Sequence, residues 1–266
     1  MHNPYLDLTH EFNRDGLRVL LSSGQAVVVH RLAVMSKDGD WLLREQQAAL
    51  DHVVHVLESK GARYRFGAPL DVRWLQGGWS SHFEFAQGGM RLRTDFVSRP
   101  PRIGAAQLAA MWLAAERSQN DVVDVVPLAA IKLTNREKDY AVVGDLARLM
   151  HDPADQLRFS RSARDLLELA KLHPQLLQAA TAERPALLAI PQGRDALEEA
   201  LDRERRVLMR TNEERLQHYQ RAAERWAAVW TDVQREVSGL PLSAAHQRIA
   251  QRADGLLPFR PLESQP

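Results

Sequence analysis

The chain has 266 residues, 45% hydrophobic and 26% charged, enough for one large domain or two modest ones with a substantial core; disorder is excluded as its main state. Its 35 Lys and Arg against 34 Asp and Glu leave a formal charge of +1, so no global field draws it to nucleic acid, although a local basic face is compatible with that balance. The absence of cysteine removes disulfides, thiolate-bound zinc, iron–sulfur clusters and thiol catalysis together.

The N-terminal segment has no apolar core of a signal peptide. The longest weakly charged stretches, 19–29 and 103–115, are too short to span a bilayer. A cytoplasmic protein without membrane attachment is expected.

Residues 5–14 carry Tyr5, Leu8 and Phe12 at helical spacing and end before Gly16. Residues 17–21 read as a short buried strand. Ser22-Ser23-Gly24 is a turn that opens a helix over 25–31. A strand at 41–43 enters a long helix over 45–60, with apolar Ala49, Val53, Val56 and Leu57, and Gly61 stops it. Three β-like runs follow at 63–66, 70–75 and 82–86, and Gly88-Gly89 turns the chain into a strand over 90–97. Strands alternating with helices argue for an α/β sheet domain.

Beyond Pro127 the β signal is gone, and helices are predicted over 128–134, 137–150, 161–172, 174–182, 195–237 and 244–253. The expected organisation is an α/β domain over 1–150, an all-helical region over 151–254 with one long helix, and a loose tail over 255–266. The helix over 195–237 would be roughly 60 Å long. Its stripe of Tyr219, Ala223, Trp226, Trp230, Val233, Val237 and Leu240 reads either as a seam on neighbouring helices of the same chain or as a face for a partner protein or a second copy.

Four places offer chemistry. In Ser36-Lys37-Asp38-Gly39-Asp40-Trp41, two carboxylates two residues apart share one face of an extended strand and suit a hard divalent cation; a polar Asp-Gly turn is the plainer reading. Ser23-Gly24, between a strand and a helix, allows backbone N–H groups to approach a phosphate, or is an ordinary cap. Asp95, in a β-rich run, faces away from the core if Leu92 and Phe96 face it, and is either a third carboxylate beside Asp40 or a solvent-facing Asp. Lys132, Arg136 and Asp139 share a face if their helix is continuous, as an ion-pair cluster or as cations over a triphosphate. Arg63, Arg65, Arg73, Arg91, Arg93, Arg99 and Arg102 gather in the β region and would either track RNA or form a solvated sheet edge. Trp74, Trp79 and Phe83 read as pocket lining or as core.

Taken in order, Ser23-Gly24-Gln25-Ala26, Ser36-Lys37-Asp38-Gly39-Asp40, Asp95-Phe96 and Lys132 with Arg136-Glu137-Lys138-Asp139 resemble the nucleotidyltransferase superfamily with the polymerase-β-like core. Within it, the chain looks like the small bacterial minimal nucleotidyltransferases and the toxin components of abortive-infection systems. The resemblance covers about residues 1–150 and departs from the family pattern at Gly39, where an aliphatic residue is usual, and at Trp41, where a small one is.

The resemblance implies an α/β domain with a mixed sheet and transfer of a nucleoside monophosphate from an NTP to a hydroxyl on RNA, protein or a small molecule. Asp38, Asp40 and Asp95 would hold Mg²⁺ or Mn²⁺ and act in catalysis, while Ser23, Gly24, Lys132 and Arg136 would bind the nucleotide. The alternative it implies is a catalytically weak or inactive binding protein on the same fold, such as half of a toxin–antitoxin or phage-defence pair.

Overall fold

The computed structural model describes residues 3–261. The chain begins with α1 (Pro4–Phe12), capped by the Asn3 side chain, and continues through β1 (Val19–Ser22), α2 (Ser23–Val29), β2 (Gly39–Leu43) and α3 (Gln47–Ser59). It then forms β3 (Arg63–Gly67), α4 (Val72–Leu75), β4 (Ser81–Gln87), β5 (Met90–Val97) and α5 (Ala105–Ser118). The remainder is helical: α6 (Val125–Ile131), α7 (Glu137–Leu149), α8 (Pro153–Phe159), α9 (Ala163–Leu172), α10 (Pro174–Glu183), a 3₁₀ segment (Pro185–Gln192), α11 (Arg194–Ala222), α12 (Glu224–Glu236) and α13 (Leu242–Ala253). The fold class is therefore a mixed α/β sheet domain with a helical region, as expected.

The five strands form one sheet in the order β1-β2-β5-β4-β3. β2 and β5 run parallel, and the other neighbours are antiparallel. Alternation along the strands sends Trp41, Phe83 and Phe96 to one face, where all three are fully buried with Phe12 of α1. Trp41 stacks on Phe96 at 5.4 Å, and Phe12 meets Trp41 edge-on at 5.3 Å. Trp41 Nε1 donates to Thr9 Oγ1 at 2.9 Å, so the large ring is buried without an orphaned donor.

The chain divides into two compact units, 1–123 with 217–266, and 124–216. This differs from the boundary expected at residue 150. The loss of β signal marks the start of the second unit near residue 124, and the last helices return to the sheet unit. Nor does one helix run over 195–237: α11 ends at Ala222, and Ala223 separates it from α12.

The apolar stripe beyond residue 217 is taken up within its own unit. Tyr219 Oη donates to the Gly77 carbonyl at 2.7 Å, Trp226 Nε1 to that of Gly67 at 2.9 Å and Trp230 Nε1 to that of Arg65 at 3.0 Å. α12 thus meets the backbone of the edge strand β3, the place where a free sheet edge would invite pairing with another chain.

Two further expectations change. Residues 70–75 contain helix α4 rather than a strand, because the Asp71 side chain accepts from the Arg73 N–H and starts a helical turn. The expected loose tail is packed over its described part: Leu257 is buried, and the indoles of Trp74 and Trp79 donate to the carbonyls of Leu257 and Pro258 at 3.0 and 2.8 Å. Residues 262–266 lie outside the described residues. Trp74 and Phe83 are fully buried and Trp79 nearly so, which makes them core rather than pocket lining.

The second unit has its own core, built by Leu157, Leu166, Leu187 and Leu197. Arg161 and Arg184 both pair with Glu204 beside it. Burial pushes the Arg161 guanidinium down to about 10. Among the described residues, no helix is long and apolar enough to cross a membrane.

Candidate active site

The site is a row of side chains across the sheet. Ser22 on β1 is paired in register with Asp40 on β2, Asp40 with Asp95 on β5, Asp95 with His82 on β4, and His82 with Phe66 on β3. Register partners project from the same face, so all five stand on the face opposite the Trp41–Phe96 core. Asp38 lies two residues before Asp40. The structure thus brings two of the three expected carboxylates, Asp40 and Asp95, side by side on parallel strands, while Asp38 lies in the segment that leads into β2.

The segment before β2 is held from both sides. Tyr5 Oη donates to the Lys37 carbonyl at 2.7 Å. Gln25 Nε2 donates to the Ser36 carbonyl at 3.0 Å and reaches that of Asp38 at 3.4 Å, while Asn3 Nδ2 donates to Gln25 Oε1 at 3.1 Å. Burial, and then the nearby Asp38 and Asp40 charges, push the Tyr5 phenol above its ordinary range. Gly24 is required by close approach: a Cβ there would stand 2.2 Å from Ser36 Oγ. Its neighbour Ser23 adopts a left-handed φ of 48°. Ser23 and Gly24 open α2 directly after Ser22, the register partner of Asp40.

Asp95 is more enclosed than Asp38. Its Oδ1 lies 2.8 Å from His82 Nδ1 and 3.6 Å from Arg65 Nη1. Asp38 Oδ1 lies 3.7 Å from Arg93 Nη1. Asp38 Oδ1, Asp95 Oδ1, His82 Nδ1 and Arg65 Nη1 are all buried atoms without an aligned hydrogen-bond partner. Asp95 Oδ1 is thus the point on which His82 and Arg65 converge as ion-pair neighbours, without an aligned hydrogen bond.

A cavity of about 770 Å³ opens beside Asp38, lined among others by Tyr5, Gln25, Met35, Ser36 and Arg93. That volume is in the usual range for a small-molecule site. Further along the face, Glu84 is buried among Arg63, Arg65 and Arg91. Burial pushes its carboxyl up, but the bonds from Arg91 and Arg63 outweigh that and hold it below the usual range. Of the seven arginines expected as a basic group, Arg63, Arg65, Arg91 and Arg93 converge on this face. Arg73 pairs instead with Asp71, and Arg99 with Glu45.

Lys132 and Arg136 do not share one helix face. Lys132 caps the end of α6, Arg136 caps the start of α7, and a turn separates them. Both hold Asp139: Lys132 Nζ at 3.0 Å and Arg136 Nε at 2.9 Å, with Thr134 Oγ1 donating at 2.6 Å. Lys132 and Asp139 are buried, and this cluster belongs to the second unit.

The residues that sequence reasoning passed over are Tyr5, Gln25, Arg65, Glu84 and His82 in these roles. His82 and Glu84 left a signal, since alternation with Phe83 and Phe85 puts both on the face opposite the core, and Arg65 entered only as one of the basic group.

No family model matches the chain, and no curated protein matches it. Among solved structures, it is similar to a Helicobacter pylori protein described as a candidate nucleotidyltransferase, at 12% identity and a TM-score of 0.37 over 79% of this chain and 94% of that one. It is also similar to JHP933 from Helicobacter pylori, at 12% identity and a TM-score of 0.37 over 81% of this chain and 94% of that one. Likenesses of this size carry no functional argument, so the reading that follows rests on the residues.

Proposed function

We propose that the chain is a divalent-metal-dependent nucleotidyltransferase that moves a nucleoside monophosphate from an NTP to an acceptor hydroxyl. The observation that supports this best is the register pairing of Asp40 with Asp95 on adjacent parallel strands, with Asp38 two residues upstream. Among the described residues, no three acidic or His side chains stand close enough to enclose a metal. A closed cage is not what Mg²⁺ requires, since it is usually held by one or two carboxylates together with substrate phosphates. The buried Asp38 oxygen without an aligned hydrogen-bond partner fits that donor chemistry.

Asp38, Asp40 and Asp95 would hold Mg²⁺ or Mn²⁺, which when bound neutralises the triphosphate and the attacking oxygen. Ser23 Oγ and the Gly24 N–H bind phosphate oxygens. Asp95 takes the proton of the acceptor hydroxyl as that oxygen bonds to the α-phosphorus and the bond to the departing pyrophosphate breaks. Lys132 and Arg136 are assigned no step, because Asp139 already takes their charge.

The test is transfer of label from α-labelled NTPs, with Mg²⁺, to RNA, protein and small molecules, beside the Asp38→Ala/Asp40→Ala variant. Label in one pool, lost in a folded variant, is the expected result. Transfer that survives the double substitution would overturn the assignment. The engagement of Asp95 by His82 and Arg65 favours a second reading, a nucleotide-binding protein on the same fold; nucleotide binding without transfer to any pool would select it.

A further inference from the structure

We propose that His82 is a positioning residue for Asp95: it holds one carboxylate oxygen, Oδ1, and so turns the other toward the reacting groups. The proposal rests on the reading of Asp95 given above.

The surroundings of His82 fix its ring from every side. Nε2 lies 2.7 Å from Ser80 Oγ, and Nδ1 lies 2.8 Å from Asp95 Oδ1. The Phe66 ring stacks on the imidazole with centroids 4.2 Å apart and planes 21° apart. Gly67 makes the room: at φ +94°, a Cβ there would stand 2.6 Å from His82 Cδ2 and 2.6 Å from the Ser80 carbonyl. Phe66 remains 47% exposed, so it adds little to the core; its ring does serve as a floor for the imidazole.

Chemistry then dictates the tautomer. An ionised carboxylate only accepts, so the nitrogen facing Asp95 must carry the hydrogen. Nε2 is then the acceptor, and the Ser80 hydroxyl donates to it. Nδ1 and Oδ1 are both buried and stand 2.8 Å apart, each with no other hydrogen-bond partner. Arg65 Nη1 stands behind the same oxygen at 3.6 Å. Oδ1 is therefore spoken for, and Oδ2 takes no hydrogen bond among the described residues. A carboxylate free to rotate would offer either oxygen in many directions, whereas this one presents a single oxygen to the open face.

Kinetics of His82 variants, with ¹⁵N-histidine spectra of the metal-free protein, test this. His82→Ala should lower kcat roughly 10–100-fold and leave the nucleotide KM unchanged, as for other residues that orient a reacting group. His82→Asn places an N–H near the position of Nδ1 and should regain most of that loss. His82→Gln reaches the position of Nε2 and should not. In the wild-type spectra the His82 hydrogen should sit on Nδ1, and Asp95→Ala should abolish that preference. A hydrogen on Nε2, an unchanged kcat in His82→Ala, or equal rescue by Asn and Gln would overturn the proposal. Should His82→Ala fail to fold, the Asn and Gln pair still decides it. If the wild type transfers no nucleotide, the enzymatic reading falls, and the spectra still report whether His82 holds Asp95.

Discussion

The Trp41 ring occupies the space that a side chain at Gly39 would need: a Cβ at Gly39 would stand 2.4 Å from Trp41 Cη2 and 2.5 Å from Tyr5 Cδ1. The two departures from the resembled family pattern are thus one arrangement. Between the two aspartates the chain omits a side chain, and two residues later it supplies a ring that fills the gap. Gly39→Ala should destabilise the protein by ~1–3 kcal/mol through overpacking. Gly39→Ala combined with Trp41→Leu should be less destabilised than the two single changes add up to, because the smaller residue removes the Trp41 contacts and leaves only that with Tyr5. Chemical denaturation of the four proteins measures the coupling, and strict additivity would mean the two residues act independently.

The Tyr5 hydroxyl is the strap on the Asp38 segment. Tyr5→Phe removes its bond to the Lys37 carbonyl and should cost about 0.5–1.5 kcal/mol of stability. It should lower transfer by more than that loss of folded protein would explain, since Asp38 follows directly. Activity per folded molecule, with the folded fraction taken from a denaturation curve, separates the two effects. An unchanged activity would show that Gln25 alone suffices to hold the segment.

Part of this arrangement is legible in the sequence, and the limits of that reading are physical. Asp95 could be placed on the face opposite Leu92 and Phe96 because strand periodicity is local. Its pairing with Asp40 depends on a parallel contact between β2 and β5, which no short-range pattern specifies. Arg65 reaches Asp95 through a register shift between Tyr64 and Phe66, and such an irregularity leaves no trace in alternation. The return of Tyr219, Trp226 and Trp230 to the sheet unit follows from backbone carbonyls more than a hundred residues away. The same stripe read locally fits a partner seam equally well.

The Lys132–Asp139 pair makes a prediction about the second unit. Burial pushes the Asp139 carboxyl up, but the Thr134 hydroxyl and then the Lys132 charge outweigh it and hold the pKa below the ordinary value. A depressed pKa means the folded state favours the ionised form. The resulting stability is complete above the ordinary carboxyl value of ~4 and is lost as pH falls below it. Asp139→Ala strands a buried ammonium and should cost about 3–5 kcal/mol at neutral pH, and less at pH 3. Lys132→Met with Asp139→Leu should recover most of that loss. Urea denaturation at the two pH values checks the sign, and a penalty that grew on acidification would contradict it.

The indole of Trp230 guards the exposed edge of the sheet. Its N–H and the Gln234 amide both donate to the Arg65 carbonyl, at 3.0 and 3.2 Å. Trp230→Phe keeps a ring and loses one donor, so it should cost about 0.5–1.5 kcal/mol and leave the protein's oligomeric state unchanged. Trp230→Ala removes the cover as well and, because the ring is half-buried, should cost about 1–3 kcal/mol. Uncovering β3 also presents unpaired backbone groups, so this variant should self-associate through strand pairing as its concentration rises. Light scattering across a concentration series reads this out. If Trp230→Ala keeps the mass of the wild type at every concentration, the ring contributes packing alone and the edge is protected by other means.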